Sequence, residues 1–203
     1  MTERSPDLAR VRIGVSACLV GDRVRYDGDH RLHPCLERLG AFVEWVRVCP
    51  EVEIGLGVPR EPIQLLRVPG GLELWTRDSR RELTGTLREW ASDRLDAFRG
   101  SQALDGYVFK HKSPSCGVTA ARVYETAEAL HGDGPFERTG RGLWAAAFLE
   151  RFPDLPVIEE PALDSPGERL SFFERALARH RVRLGDAARD LDERALREIL
   201  EAL

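Results

Sequence analysis

Short apolar runs and longer amphipathic stretches alternate along most of this chain, and that alternation limits its fold more than any other feature. Runs at 11–16, 42–48, 106–110 and 155–158 read as strands, the first three by their β-branched and aromatic residues and the last by its short buried look. Helical patterns lie between them. Over 83–99 the apolar residues Leu83, Leu87, Trp90, Ala91, Leu95 and Phe98 recur at the spacing of one helix face. Residues 34–39 suit a short helix closed by Gly40, and 140–152 a second one stopped by Pro153. Ser165, Pro166 and Glu168 supply an N-cap, a first-turn proline and an N3 glutamate to a helix over 165–180. Such strand–helix–strand units build an α/β fold: a mostly parallel, Rossmann-like sheet flanked by helices. Residues 64–68 and 72–76 flank Pro69-Gly70-Gly71, a hairpin signal, because glycine supplies the positive φ that such turns need. Residues 120–130 fit strand and helix equally.

At 203 residues the chain has the length of one domain with a sizeable core. The expected organisation is a flexible N-terminal segment at 1–10, a single α/β domain over 11–182, and a C-terminal helical extension at 183–203. Gly185 breaks the charged amphipathic helix at 186–203 from what precedes it. A composition of 42% hydrophobic and 32% charged residues is that of a globular protein. The net charge of −4 carries no basic footprint, so no nucleic acid polymer is expected as partner. No apolar run approaches membrane-spanning length, and the start M-T-E-R-S-P-D lacks a charged-then-apolar leader. The expectation is a cytoplasmic protein with no membrane partner. Four cysteines in a chain of this size are too few for a disulfide framework.

Three of those cysteines share one context. Cys18 ends the run R-I-G-V-S-A-C, Cys49 ends F-V-E-W-V-R-V-C, and Cys116 follows Y-V-F-K-H-K by way of S-P-S-C-G. If the strands are parallel neighbours, all three sulfurs rise at the carboxyl edge of one sheet, where open α/β folds hold their ligands. Cys35 lies instead at a helix start, in H-P-C-L-E, and reads as structural. Zinc in a structural site wants four ligands, with its cysteines in close pairs, and no such pair occurs here. A [4Fe–4S] cluster can be held by three cysteines from distant loops, leaving one iron open as a Lewis acid. Glu51, two residues past Cys49, is a carboxyl group able to move protons in the same pocket. Ser113 and Ser115 add hydroxyls beside Cys116.

These same residues carry a resemblance. V-S-A-C-L-V-G with V-R-Y-D-G, then C-P-E-V with G-L-G-V-P-R-E-P, and finally K-x-x-S-P-S-C-G occur in order. Together they resemble domain of unknown function 523, a bacterial family that includes the [4Fe–4S]-dependent thiouracil desulfidases. The resemblance runs from about residue 12 to 177. It implies a cluster on Cys18, Cys49 and Cys116, with sulfur from a thiolated nucleobase taken onto the open iron. It implies Glu51 as the proton-transferring carboxyl group and one of Ser113 and Ser115, with Ser113 preferred, as the serine. The chain departs from the family pattern by its extra Cys35. Its G-L-G-V-P-R-E-P is also closer to a branch of longer proteins than to the characterised desulfidases.

Residues with weaker claims on a substrate pocket are Ser16, before Cys18, and Arg25, Tyr26 and Asp27, which follow the first strand. Arg60 is another. The loop residues serve equally well to fold a turn, and Arg60 to pair with a surface carboxylate. The expected activity is non-redox desulfurisation of a thiolated small molecule. Two alternatives stay open at this point: the thiolates hold a cluster or metal for sensing or structure, or Cys116 itself attacks sulfur.

Overall fold

A computed structural model describes residues 10–185, apart from 101 and 133. Four strands form an all-parallel sheet in the order β2-β1-β5-β8: β1 (Val11–Ser16), β2 (Val43–Val48), β5 (Gly106–Phe109) and β8 (Val157–Glu159). The period-two alternation of strand side chains sorts residues to its two faces. On one face Val11, Ile13, Val15 and Val108 pack with Leu36 and Leu39 of α1 (Pro34–Leu39) and Phe172, Phe173 and Leu177 of α6 (Pro166–Leu184). On the other, Tyr107 and Phe109 pack with Leu95 and Phe98 of α3 (Thr84–Arg99) and Trp144 and Phe148 of α5 (Leu143–Arg151). Gly14 is required between these layers. A Cβ there would lie 2.3 Å from the Tyr107 ring, so any other residue would push β5's aromatic stack aside.

A second sheet has the order β4-β3-β6-β7. The hairpin of β3 (Ile63–Val68) and β4 (Gly71–Thr76) is antiparallel, as the Pro-Gly-Gly turn dictates. β6 (Ala121–Tyr124) runs parallel to β3, and β7 (Glu137–Gly140) antiparallel to β6. Leu65, Leu74, Ala121 and Val123 bury one side of this sheet against Leu83 and Leu87. The ambiguous stretch at 120–130 therefore divides: a strand, then α4 (Ala127–His131), whose N-cap Thr126 accepts a hydrogen bond from the Ala129 amide at 3.1 Å. β7 was not expected, because E-R-T-G has no apolar alternation. Gly140 closes that strand rather than opening a helix, and α5 starts three residues later. Cys49-Pro50-Glu51 opens a single helical turn, α2 (Pro50–Glu53), with Pro50 at its first position.

α6 runs four residues beyond its expected end because its last turn is anchored. His180 Nδ1 lies 2.8 Å from Asp105 Oδ2, and Arg183 donates to both oxygens of that carboxylate at 2.8 Å. The expected segment at 1–10 falls almost wholly, and the helix at 186–203 wholly, outside the described residues. No described helix is long and apolar enough to cross a membrane.

Candidate active site

β1, β2 and β5 are adjacent and parallel, so the residues that follow them emerge at one edge. A cavity of about 510 Å³ lies across that edge, and Cys18, Cys49 and Cys116 all line it. Each is delivered by a different local device. Cys18 sits in the 3-10 turn Ala17–Val20 directly after β1. Cys49 is the N-cap of α2, held where Pro50 turns the chain. Cys116 sits in a loop wound around one side chain: Ser113 Oγ accepts the amides of Cys116 at 3.0 Å and Ser115 at 3.3 Å. That loop is docked on the start of α5. The Leu143 and Ala145 amides donate to the carbonyls of Pro114 and Ser115, both at 3.2 Å, and Gly142 N donates to Gly117 O at 2.7 Å. Helix-end donors that lack intrahelical partners are thereby satisfied by the cysteine loop. Cys35 lies in the core against α6, outside the cavity, as expected.

Burial pushes the Cys18 thiol up to about 12, with Cys49 adding to the rise and Lys110 opposing it. Burial also raises Cys49. Cys116 is raised further by burial, with Cys49 again contributing, although the Ser16 and Ser115 hydroxyls at its sulfur favour the thiolate. Cys18 and Cys116 thus both lie close enough to Cys49 to feel its charge, and burial favours the neutral thiol at all three. Among the described residues, no group of three or more His, Cys, Asp and Glu side chains is gathered so as to hold one metal ion.

Glu51 is the centre of a half-buried polar chain. Its Oε1 accepts from Ser115 Oγ at 2.8 Å, and its Oε2 accepts from Arg60 Nη2 at 2.6 Å and Nε at 2.9 Å. Arg60 also donates to the carbonyls of Val24 at 2.8 Å and Gly57 at 2.9 Å. It is therefore no surface partner: its side chain is 5% exposed, and it fixes Glu51 to the loop that follows β1. Ser113 and Ser115 hydroxyls lie 3.1 Å apart, so the chain runs Ser113–Ser115–Glu51–Arg60. Ser113 and Glu51 face the cavity, while Ser115 is fully buried behind them.

The other expected pocket residues divide. Ser16 lines the cavity but is buried, its hydroxyl accepting the Lys110 amide at 3.0 Å. Arg25 and Tyr26 line it, with the Arg25 guanidinium 5.5 Å over the Tyr26 ring. Asp27 does not; it folds its own loop, accepting the Asp29 amide at 3.1 Å. Lys110 lines the cavity and pairs with Glu160, and His111 Nδ1 lies 3.1 Å from Glu159 Oε2. The far wall belongs to the second sheet and was not read from the sequence: Gln64 of β3, Arg77 after β4, Arg122 of β6 and Arg138 of β7. A polar residue inside the apolar run I-Q-L-L was the one available signal.

The model of the 2-thiouracil desulfurase family matches residues 13–160, which takes in both sheets and leaves out α6. The chain belongs to that family. Its fold also matches that of a solved [4Fe-4S]-dependent thiouracil desulfidase, TudS, with a TM-score of 0.60 and 30% identity, covering 81% of this chain and 99% of that one. An uncharacterised Bacillus subtilis (strain 168) protein, YbbK, is 31% identical over 108 residues, 51% of this chain and 71% of its own length. The family match includes Cys18, Cys49, Glu51, Ser113 and Cys116, so in this 2-thiouracil desulfurase family member the whole cavity edge falls within the shared region. The motif resemblance and the fold comparison agree.

Proposed function

We propose that this protein removes sulfur hydrolytically from a thiolated small molecule, such as a thiolated nucleobase, with the help of a [4Fe–4S] cluster on Cys18, Cys49 and Cys116. The observation that carries the reading is the meeting of three cysteines from three strand ends and one anchored carboxylate in a single cavity. The donor set fits such a group. The three thiols come from three separate loops and all line one cavity, as the cysteines of a cluster site would. Hydroxyls at the Cys116 sulfur, and Lys110 near Cys18, favour the thiolate forms that ligation needs.

When bound, the cluster supplies a Lewis-acidic iron with affinity for sulfur. The protein's own residues supply the rest. Glu51 takes a proton from water as the oxygen adds to the thiocarbonyl carbon and returns it to the departing sulfur, which receives its second proton from the added hydroxyl as the carbonyl forms. Atoms balance as thiocarbonyl plus water giving carbonyl plus hydrogen sulfide, with no change of oxidation state. Arg60 holds the carboxylate's orientation, and Ser115 holds its other oxygen. Ser113, on the cavity wall, orients the substrate or the water. The arginines of the far wall favour a substrate that carries negative charge.

The test is anaerobic purification, iron and sulfide analysis, and an assay of hydrogen sulfide release from several thiolated bases. Release in proportion to iron content is expected. A cluster-loaded protein inert toward all of them would overturn the enzymatic reading.

A further inference from the structure

We propose that His111 is a second proton-transfer residue of the desulfurisation: its Nε2 takes the proton of the hydroxyl added to the substrate carbon and passes it to the departing sulfur. The proposal rests on the desulfidase reading for its reaction, but it stands on a separate pair of residues at the same sheet edge. His111 follows β5 by two residues, and Glu159 ends β8, the neighbouring parallel strand, in register with Phe109. His111 Nδ1 lies 3.1 Å from Glu159 Oε2, and the two side chains are 21% and 15% exposed. Glu159 takes three further donors: its Oε1 accepts the Val118 amide at 2.8 Å and the Thr119 amide at 3.2 Å, and its Oε2 accepts Thr119 Oγ1 at 2.7 Å. Burial opposes its charge, but these bonds and the one from His111 hold its carboxyl below the ordinary range. An ionised carboxylate only accepts. Nδ1 is therefore the nitrogen that carries hydrogen, and in the neutral ring Nε2 is left as the base.

His111 lines the cavity, whereas Glu159 does not. The ring stands between its carboxylate and the cavity, with Nε2 on the side away from Glu159. That nitrogen has no hydrogen-bond partner among the described residues, and it is not sealed from water. The His111 amide donates to Glu160, which also pairs with Lys110, so the residue is held from two sides. The arginines of the cavity keep their protons, and Glu51 is committed to the attacking water. Histidine exchanges protons most readily near neutral pH. The step balances. The O–H bond breaks toward Nε2, its electron pair closes the carbonyl, and the C–S bond breaks with its pair on sulfur. Nε2 then gives its proton to that sulfur and the imidazole is neutral again, with no change of oxidation state. In between, the imidazolium is stabilised by Glu159 beside Nδ1.

The experiment is turnover of 4-thiouracil by wild type, His111→Gln and His111→Ala at equal iron content, with and without added imidazole. His111→Gln should lower kcat about a hundredfold, the low end of general acid–base catalysis. Imidazole should raise the rate of His111→Ala relative to wild type, because a free base then occupies the vacated space. Undiminished kcat in His111→Gln overturns the proposal, and a loss that imidazole does not relieve reduces His111 to a structural role. A second measurement needs no variant. Diethyl pyrocarbonate should modify His111 in anaerobic wild type, as read by peptide mapping, and saturating uracil, the desulfurised base, should protect it. Equal modification with and without uracil would place Nε2 away from the substrate and overturn the proposal. A wild type that releases no hydrogen sulfide from any thiolated base overturns the desulfidase reading and this role with it. An active wild type beside an equally active His111→Gln overturns this role alone.

Discussion

Glu51 is held at both oxygens by groups that have no other obvious reason to be buried together, Ser115 on one and Arg60 on the other. Glu51→Gln keeps the shape and both neighbours but cannot take a proton. It should retain iron and lower desulfurisation about a hundredfold or more, the scale of general acid–base catalysis. Undiminished turnover at equal iron content would remove Glu51 from proton transfer. The geometry divides the two serines. Ser113 accepts two loop amides, whereas Ser115 touches Glu51 and the Cys116 sulfur. Ser115→Ala should therefore lower kcat and move its pH profile, while Ser113→Ala should loosen the loop and lower iron content. Among the cysteines, alanine at 18, 49 or 116 should strip most of the iron, and Cys35→Ala should not. Iron analysis of the four variants checks this, and equal losses in all four would make Cys35 a ligand.

The Cys116 loop depends on how closely α5 approaches it. A Cβ on Gly142 would lie 2.3 Å from the Ser115 carbonyl oxygen and 2.9 Å from the Cys116 amide nitrogen. Both are backbone atoms, so neither can rotate away. Gly142→Ala should force the loop off the helix, costing about 1–3 kcal/mol as overpacking does. Thermal unfolding and iron content should fall together. A variant with lowered melting temperature but full iron would mean that the loop holds its cysteine without the helix. The same logic explains why Cys116 is rigidly placed: its neighbours' carbonyls complete the first turn of a nine-residue helix.

Across the whole molecule, the sheet carries its chemistry at one edge and its anchor at the other. Asp105 precedes β5 at the amino edge and is fully buried. Burial opposes its charge, but hydrogen bonds from Arg183, His180 and the Arg12 amide outweigh burial and hold its carboxyl below the usual range. A depressed folded-state pKa contributes stability above the unfolded value near 4, and that stability is lost as pH falls through the folded value. Asp105→Asn should cost about 3 kcal/mol near neutral pH, as breaking a buried pair does. The difference from wild type should shrink as pH drops below about 4. Urea unfolding from pH 7 to pH 3 measures it, and a constant difference would deny the linkage. Desulfurisation at neutral pH should be unaffected, since the anchor lies at the opposite end of β5 from the cavity.

Much of this was legible before any fold. Strands rich in Val, Ile and aromatic residues, separated by helical spacing, determine a parallel sheet, and a parallel sheet brings residues after successive strands to one edge. Cys18, Cys49 and Cys116 could be grouped on that ground, with Cys35 set apart in a helix. The short ordered motifs around them pointed to the family. The opposite wall was not legible. β6 and β7 are four residues each, and E-R-T-G is polar throughout; such segments become strands only because β3 offers an edge to β6 and β6 in turn offers one to β7. Local pattern carries no information about that edge. Nor could spacing show that Arg60 reaches Glu51 or that Gln64 lines the cavity, because which residues meet there is set by contacts between segments far apart in sequence. The sequence by itself determined which atoms could do the chemistry. The tertiary structure decided which of them share a cavity, because burial and hydrogen bonding are properties of neighbours.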